Sequence, residues 1–165
     1  MITAPNHRGL AARMIRAPTI EELAGLSELC LRSKAVWGYH AEFLAACRGE
    51  LSLGRQDLES TEIAVAVRGS QVVGIAQVKV RGNEADLLKL FVEPAILRCG
   101  VGRSLFAWAM NIARENGAGR LLIDSDPGAA PFYRRMGAHD LGQAPSGSIP
   151  GRMLPRLAIS LGTAD

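Results

Sequence analysis

Leu87-Leu88-Lys89-Leu90-Phe91-Val92-Glu93-Pro94-Ala95-Ile96-Leu97-Arg98-Cys99-Gly100-Val101-Gly102-Arg103-Ser104 is the stretch where the chain leaves an apolar strand, crosses a glycine loop and enters a helix. The run from Glu84 to Val92 reads as a central strand, and Pro94 ends it because proline brings no N–H to a ladder. Gly100 and Gly102 let the main chain approach a ligand closely. The first turn of the following helix offers unpaired N–H groups with about half a positive charge. Such a loop suits an anion of the pyrophosphate kind, with Arg98 and Arg103 flanking it as charge-assisted donors. Taken alone, two glycines at this spacing more often make only a tight turn. The absence of a following Gly-Lys-Ser/Thr removes a nucleotide-triphosphate loop. A missing third glycine, and hairpins in place of a βαβ unit upstream, remove a dinucleotide fingerprint.

Working outward, Ile63, Val65 and Val67 alternate, a turn falls at Arg68-Gly69-Ser70, and Gln71 to Val80 is rich in Val and Ile. A second turn at Arg81-Gly82-Asn83 leads into the central strand, so three antiparallel strands arrive in succession. Before them, Met14 to Ala17 reads as a short strand. A helix capped at Thr19 follows, with Ile20, Leu23, Leu26, Leu29 and Cys30 at helical spacing. Ser33 to Leu53 reads as two helices joined by the aromatic elbow Trp37-Gly38-Tyr39-His40. After the glycine loop, Leu105, Trp108, Ala109, Ile112 and Ala113 mark one helical face ending at Asn116-Gly117. Arg120 to Ser125 is a buried strand, and Ala129 to Met136 a helix closed by Gly137. The strands His139 to Gln143 and Arg156 to Leu161 flank a loop, Pro145 to Pro155, dense in Gly, Ser and Pro. The order predicts an α/β domain on a mixed sheet.

A chain of 165 residues, 48% hydrophobic, makes one domain with a substantial core. The longest apolar stretches fall far short of a membrane span, and residues 1–13 hold no apolar core of a secretory signal, so a cytoplasmic protein is expected. Residues 1–13 are expected to be a disordered extension, 14–161 the domain and 162–165 a tail. Three cysteines without CxxC spacing predict neither a disulfide framework nor a zinc site, and no metal is expected. The net charge of +3 comes from scattered arginines. No basic run is interleaved with aromatics, which argues against a nucleic-acid surface.

Three motifs then agree in order: Leu90-Phe91-Val92-Glu93-Pro94, the loop with Gly100 and Gly102, and the run from Asp126-Pro127-Gly128 through Phe132-Tyr133 to Gly137-Ala138. Together they resemble the GNAT superfamily of acyl-CoA-dependent N-acyltransferases, over roughly Met14 to Leu161. The resemblance implies a single α+β domain whose mixed, mostly antiparallel sheet is splayed into a V. The acyl thioester is expected in the gap between the fourth and fifth strands. It implies that main-chain groups of Phe91 and Val92 hold the acyl carbonyl and pantetheine. It further implies that Arg98, Cys99, Gly100, Val101, Gly102, Arg103 and Ser104 wrap the pyrophosphate, and that Asp126, Ala129 and Phe132 line the cofactor. Leu97 stands where the family has Gln or Arg, Arg98 where it has Gly, and Asp126 where it has an asparagine. Tyr133 falls on the family's general-acid position. A phenol with a reference pKa near 10 is protonated at neutral pH and can donate to a departing thiolate.

The expected reaction is direct transfer of acetyl from acetyl-CoA to a primary amine of a small molecule or peptide, with Cys99 a loop residue and no covalent relay. At neutral pH only on the order of one alkyl amine in a few thousand carries its free lone pair. Glu84, Asp86, Glu93 and His40 are all candidates to remove the proton. Trp37, Tyr39 and His40, with the loop from Ser146 to Arg152, are expected to build the acceptor site. The aromatics offer cation–π contacts, and Arg152 a clamp for a carboxylate or phosphate. The departures at Leu97 and Asp126 keep open an alternative, a non-catalytic acetyl-CoA-binding regulatory module. A homodimer is expected by resemblance.

Overall fold

The computed structural model describes residues 14–97 and 99–162. The expectations for residues 1–13, for Arg98 and for residues 163–165 lie outside the described residues. The elements follow as β1 (Met14–Arg16), α1 (Leu23–Ala35), α2 (Ala41–Leu51), α3 (Arg55–Ser60), β2 (Glu62–Arg68), β3 (Gln71–Arg81), β4 (Glu84–Val92), α4 (Val101–Glu115), β5 (Arg120–Asp124), α5 (Ala130–Arg135), β6 (His139–Pro145) and β7 (Met153–Ser160). The seven strands form one open sheet in the order β1-β2-β3-β4-β5-β7-β6. Every neighbouring pair is antiparallel except β4 and β5, which run parallel, as a helical crossover between them requires.

Alternation along β2 and β3 sends Ile63, Val65, Val67 and Ile75 to one face, against Leu26, Leu29 and Cys30 of α1 and Cys47 and Leu51 of α2. The opposite face carries Val78 and Leu87 against Phe106, Ala109 and Ala113 of α4 and Tyr133 of α5. Helices therefore cover both faces, and the apolar positions quoted above are the ones that fill the two cores.

One irregularity in β4 shapes everything that follows. Val78 stands opposite Leu87 but Gln77 opposite Lys89, so Leu88 is an extra residue in β4. At the same place the pairing with β5 stops. Glu84, Ala85, Asp86 and Leu87 match Arg120 to Ile123, while Leu88 to Val92 have no ladder on that side. A bulge raises local twist, and the extra twist carries the end of β4 away from β5. The predicted splay is thus present, with its apex at Leu87 and its open end at Val92. At the closed end, the Arg120 guanidinium donates to Glu84 at 2.8 Å.

The start of the first helix is more elaborate than its sequence reading. A 3₁₀ turn, Ile20–Glu22, precedes α1. The Glu22 carboxylate accepts from the Thr19 N–H at 2.8 Å and takes both arms of Arg16 at 2.8 and 2.9 Å. These bonds, Arg16's foremost, hold the Glu22 carboxyl far below its ordinary range, at about 2. A depressed folded-state value contributes stability above the unfolded pKa and loses it as pH falls toward the folded one. Glu22→Gln is therefore expected to cost about 1 kcal/mol at pH 7 in a urea titration. The difference from wild type should close as pH drops from about 4.5 to about 2. A difference that persists at pH 2 would refute the assignment. No helix among the described residues is long and apolar enough to cross a membrane.

Candidate active site

The loop after β4 delivers the helix terminus that its glycines predict. Gly100 takes φ of +82°, a left-handed conformation that favours glycine, and stands at the N-cap of α4. The Ser104 N–H bonds back to the Gly100 carbonyl at 3.1 Å. The preceding N–H groups, of Val101, Gly102 and Arg103, belong to the first turn, which has no intrahelical acceptors. Val101 and Leu105 anchor this turn in the core. A Cβ on Gly74 of β3 would come within 2.8 Å of Leu105 and 3.1 Å of Val101, so the absence of a side chain there lets the helix lie close against the sheet. Gly102 is different. A Cβ there would meet only ordinary contacts, 3.7 Å from Phe132 and from Val92. Packing within the chain does not demand glycine at 102. A diphosphate bound by main-chain amides fits this arrangement.

Tyr133 lies on α5 at 7% exposure. Its ring meets Phe106 at 5.5 Å and Phe132 at 5.2 Å, both edge to face. Burial, and to a lesser degree the charge of Asp126, pushes the phenol above its ordinary value. The hydroxyl is therefore protonated throughout the neutral range, as a proton donor must be.

Asp126, at the end of β5, is the centre of a compact polar knot. Its Oδ1 accepts from the Gly128 N–H at 3.1 Å, and its Oδ2 accepts from the Tyr39 hydroxyl at 2.6 Å. Lys34 reaches the same oxygen at 3.4 Å, and Arg152 lies 3.8 Å from it. Arg152 also donates to the Tyr39 oxygen at 2.6 Å. Tyr39 stacks flat on Phe43 with centroids 4.1 Å apart, and Arg152 lies over both rings, 5.1 and 4.8 Å from their centroids. Burial and the Asp126 carboxylate push the Tyr39 phenol up to about 12, so it stays a donor to Asp126. The sequence reading placed Tyr39 and Arg152 in one site, and they meet. Trp37 lies across Gly128, whose Cβ would fall 2.7 Å from the indole. His40 is not drawn in; it is exposed at the N-cap of α2.

The carboxylates considered as bases are all engaged by arginine. Glu84 pairs with Arg120, Asp86 takes a bidentate grip from Arg81, and Glu93 takes one from Arg32. Arg32 holds the Glu93 carboxyl below its usual range. That last pair ties α1 to the end of β4, beside the open end of the splay.

A splayed sheet, an amide-rich helix start after its fourth strand and a buried tyrosine on the last helix form a recognisable whole, and residues 32–145 match the acetyltransferase (GNAT) domain family. The chain belongs to the GNAT family. It is an acetyl-CoA-dependent acetyltransferase. Solved structures agree on the GNAT fold. A PaiA N-acetyltransferase from Thermoplasma acidophilum in complex with coenzyme A is 18% identical, with a TM-score of 0.73 over 90% of this chain and 99% of its own. A GCN5-related N-acetyltransferase from Rhodopseudomonas palustris is 20% identical, with a TM-score of 0.74 over 90% and 95%. The ribosomal-protein-S18-alanine N-acetyltransferase from Escherichia coli is 18% identical, with a TM-score of 0.67 over 93% and 96%. No curated protein sequence matches the chain.

Two members of the polar knot escaped the sequence reading. Lys34 sits in the last turn of α1, where a lysine ordinarily serves the helix dipole in solvent. Phe43 reads as one more apolar position of α2. Only the fold brings them beside Asp126, which lies 92 residues from Lys34.

Proposed function

We propose that this acetyltransferase moves the acetyl group of acetyl-CoA directly to a primary amine of a small molecule or peptide. The observation that carries this reading is the pairing of an amide-rich α4 start, with a glycine at 102 that the fold does not need, with a protonated, buried Tyr133. In it, the N–H groups of Val101, Gly102 and Arg103 hold the diphosphate. Val92, which has no β5 partner and whose main-chain groups point away from β3, turns them to the acyl carbonyl and the pantetheine, with Phe91 beside it on the strand end. The amine attacks the thioester carbon, the carbon–sulfur bond breaks, and Tyr133 donates a hydrogen bond or proton to the departing sulfur. The acceptor enters between the α1–α2 elbow at Trp37 and Tyr39 and the β6–β7 loop at Arg152. The carboxylates of Glu84, Asp86 and Glu93 serve ion pairs with Arg120, Arg81 and Arg32, and none of the three is assigned the amine's proton.

Gly102→Ala tests the cradle. The residue is helical and has space, so the variant should be as stable as wild type or more so, by up to about 1 kcal/mol. The added methyl would intrude between the amides and their ligand, so acetyl-CoA affinity measured by calorimetry should fall about tenfold or more. Unchanged affinity in the variant, or no heat of acetyl-CoA binding to the wild type at millimolar ligand, would overturn the reading.

A further inference from the structure

The knot around Asp126 holds more positive charge than its own folding needs. Lys34 and Arg152 present two cations to one carboxylate, and all three side chains are largely withdrawn from water, at 14%, 19% and 12% exposure. One unit of positive charge is thus left unbalanced in a poorly solvated place, a costly arrangement unless an anion completes it. The donors are also in surplus. Arg152 has five N–H groups and spends one on the Tyr39 oxygen; Lys34 has three and spends one on Asp126. Both heads are fixed in direction. Lys34 lies 5.4 Å from the Tyr39 centroid, and Arg152 is held over the Tyr39–Phe43 stack. The knot lies at the turn between β5 and α5, where the Asp126 carbonyl accepts from the Ala129 and Ala130 N–H groups at the start of the helix that carries Tyr133. It joins the two segments between which the acceptor enters: Tyr39 belongs to the α1–α2 elbow and Arg152 to the β6–β7 loop. In the same loop, Ser148 donates to Glu50 of α2, a second tie between the loop and the helices.

Resting on the acyl-transfer reading above, we infer that Lys34 and Arg152 form a specificity subsite for a carboxylate on the acceptor, so that the substrates are amino-carboxylates: free amino acids or close relatives with an amine and a carboxylate in one small molecule. One unbalanced charge matches a monoanion, and the planar fork of Arg152 matches the two oxygens of a carboxylate. Asp126 and Tyr39 act as positioning residues: they aim the two cations and leave their outer donors for the ligand. The subsite also favours the reaction, since a fixed positive charge near the amine lowers its proton affinity and enlarges the neutral fraction that can attack.

The test compares the common amino acids with their amides, using full-length wild type, Arg152→Gln, Arg152→Lys and Lys34→Met. Thiol release from acetyl-CoA gives kcat and KM, and thermal shift in the presence of coenzyme A gives acceptor binding where turnover is slow. For the wild type, at least one acid should be preferred over its amide by about 10- to 100-fold in kcat/KM or affinity. Arg152→Gln and Lys34→Met should each erase most of that preference, raising KM for the acid about tenfold or more beyond any rise for the amide. Arg152→Lys, which keeps charge without the fork, should restore part of it. Equal response to acids and amides, no response to any acid at 10 mM (about the weakest useful affinity), or a preference that survives Arg152→Gln would overturn the inference. Calorimetric binding of acetyl-CoA on the same samples separates the two readings: if it persists while the acid preference is missing, only the subsite fails.

Discussion

Tyr133→Phe should lower kcat by about 100- to 10,000-fold and leave acetyl-CoA affinity within about threefold. The ring itself is what the core needs. Phe106 and Phe132 contact its edges and faces, and a phenylalanine keeps those contacts. Stability should therefore stay within about 1 kcal/mol of wild type. The loss would then be assignable to the hydroxyl alone, as a donor felt chiefly when negative charge gathers on sulfur. Because burial holds this phenol above its ordinary value, its ionisation should not limit activity on the alkaline side until well past pH 10. Wild-type kcat in the Phe variant, measured by thiol release, would remove Tyr133 from the mechanism.

Asp126→Ala is expected to be the most destabilising single change in the site. It leaves Lys34 and Arg152 without their shared carboxylate, removes the acceptor of the Tyr39 hydroxyl, and frees the Gly128 N–H that caps the turn into α5. Stranding charges in a fully buried site costs about 3–5 kcal/mol. The residual exposure of both cations reduces this to about 2–3 kcal/mol, a fall in Tm of about 4–12 °C for a domain of this size. Asp126→Asn keeps an acceptor oxygen and should lose less than the Ala variant. Urea denaturation of the three proteins checks the order. A loss under about 1 kcal/mol in Asp126→Ala would show the knot to be dispensable for folding.

Most of the architecture could be read without coordinates, for reasons visible in particular residues. The strands β2 to β4 announce themselves by alternation and by turns at Gly69 and Gly82, both of which adopt positive φ. The helix α4 shows a clean apolar face. By contrast α3, Arg55 to Ser60, was not expected. It is six polar-rich residues long, too short for a period, and it is held by a cap from Asp57 to the Gly54 N–H at 2.8 Å. The 3₁₀ turns at Ile20 and Pro94 are likewise local and leave no pattern. In the site, glycine positions and Tyr133 were legible because main-chain geometry and acid chemistry restrict residue type at one position. The partners of Asp126 were not. Tyr39 and Arg152 read as parts of one acceptor site, but Lys34 reads as an ordinary helix-end lysine, and nothing in these segments marks their convergence on Asp126. The bulge at Leu88 is similarly silent in sequence, yet it reverses which side chains of β4 face each core and buries Lys89 against Gln77 at 2.9 Å.

That bulge has a mechanical consequence. Only four matched positions stitch the leaf β1–β4 to the leaf β5–β7–β6, with the Arg120–Glu84 clasp at their closed end. The two leaves are therefore joined along a short seam, and breathing that separates one leaf from the other opens there. A molecule lodged in the wedge bridges both leaves, so occupancy and rigidity rise together. Slowed amide exchange from Leu88 to Val92 would be the visible trace of that stiffening.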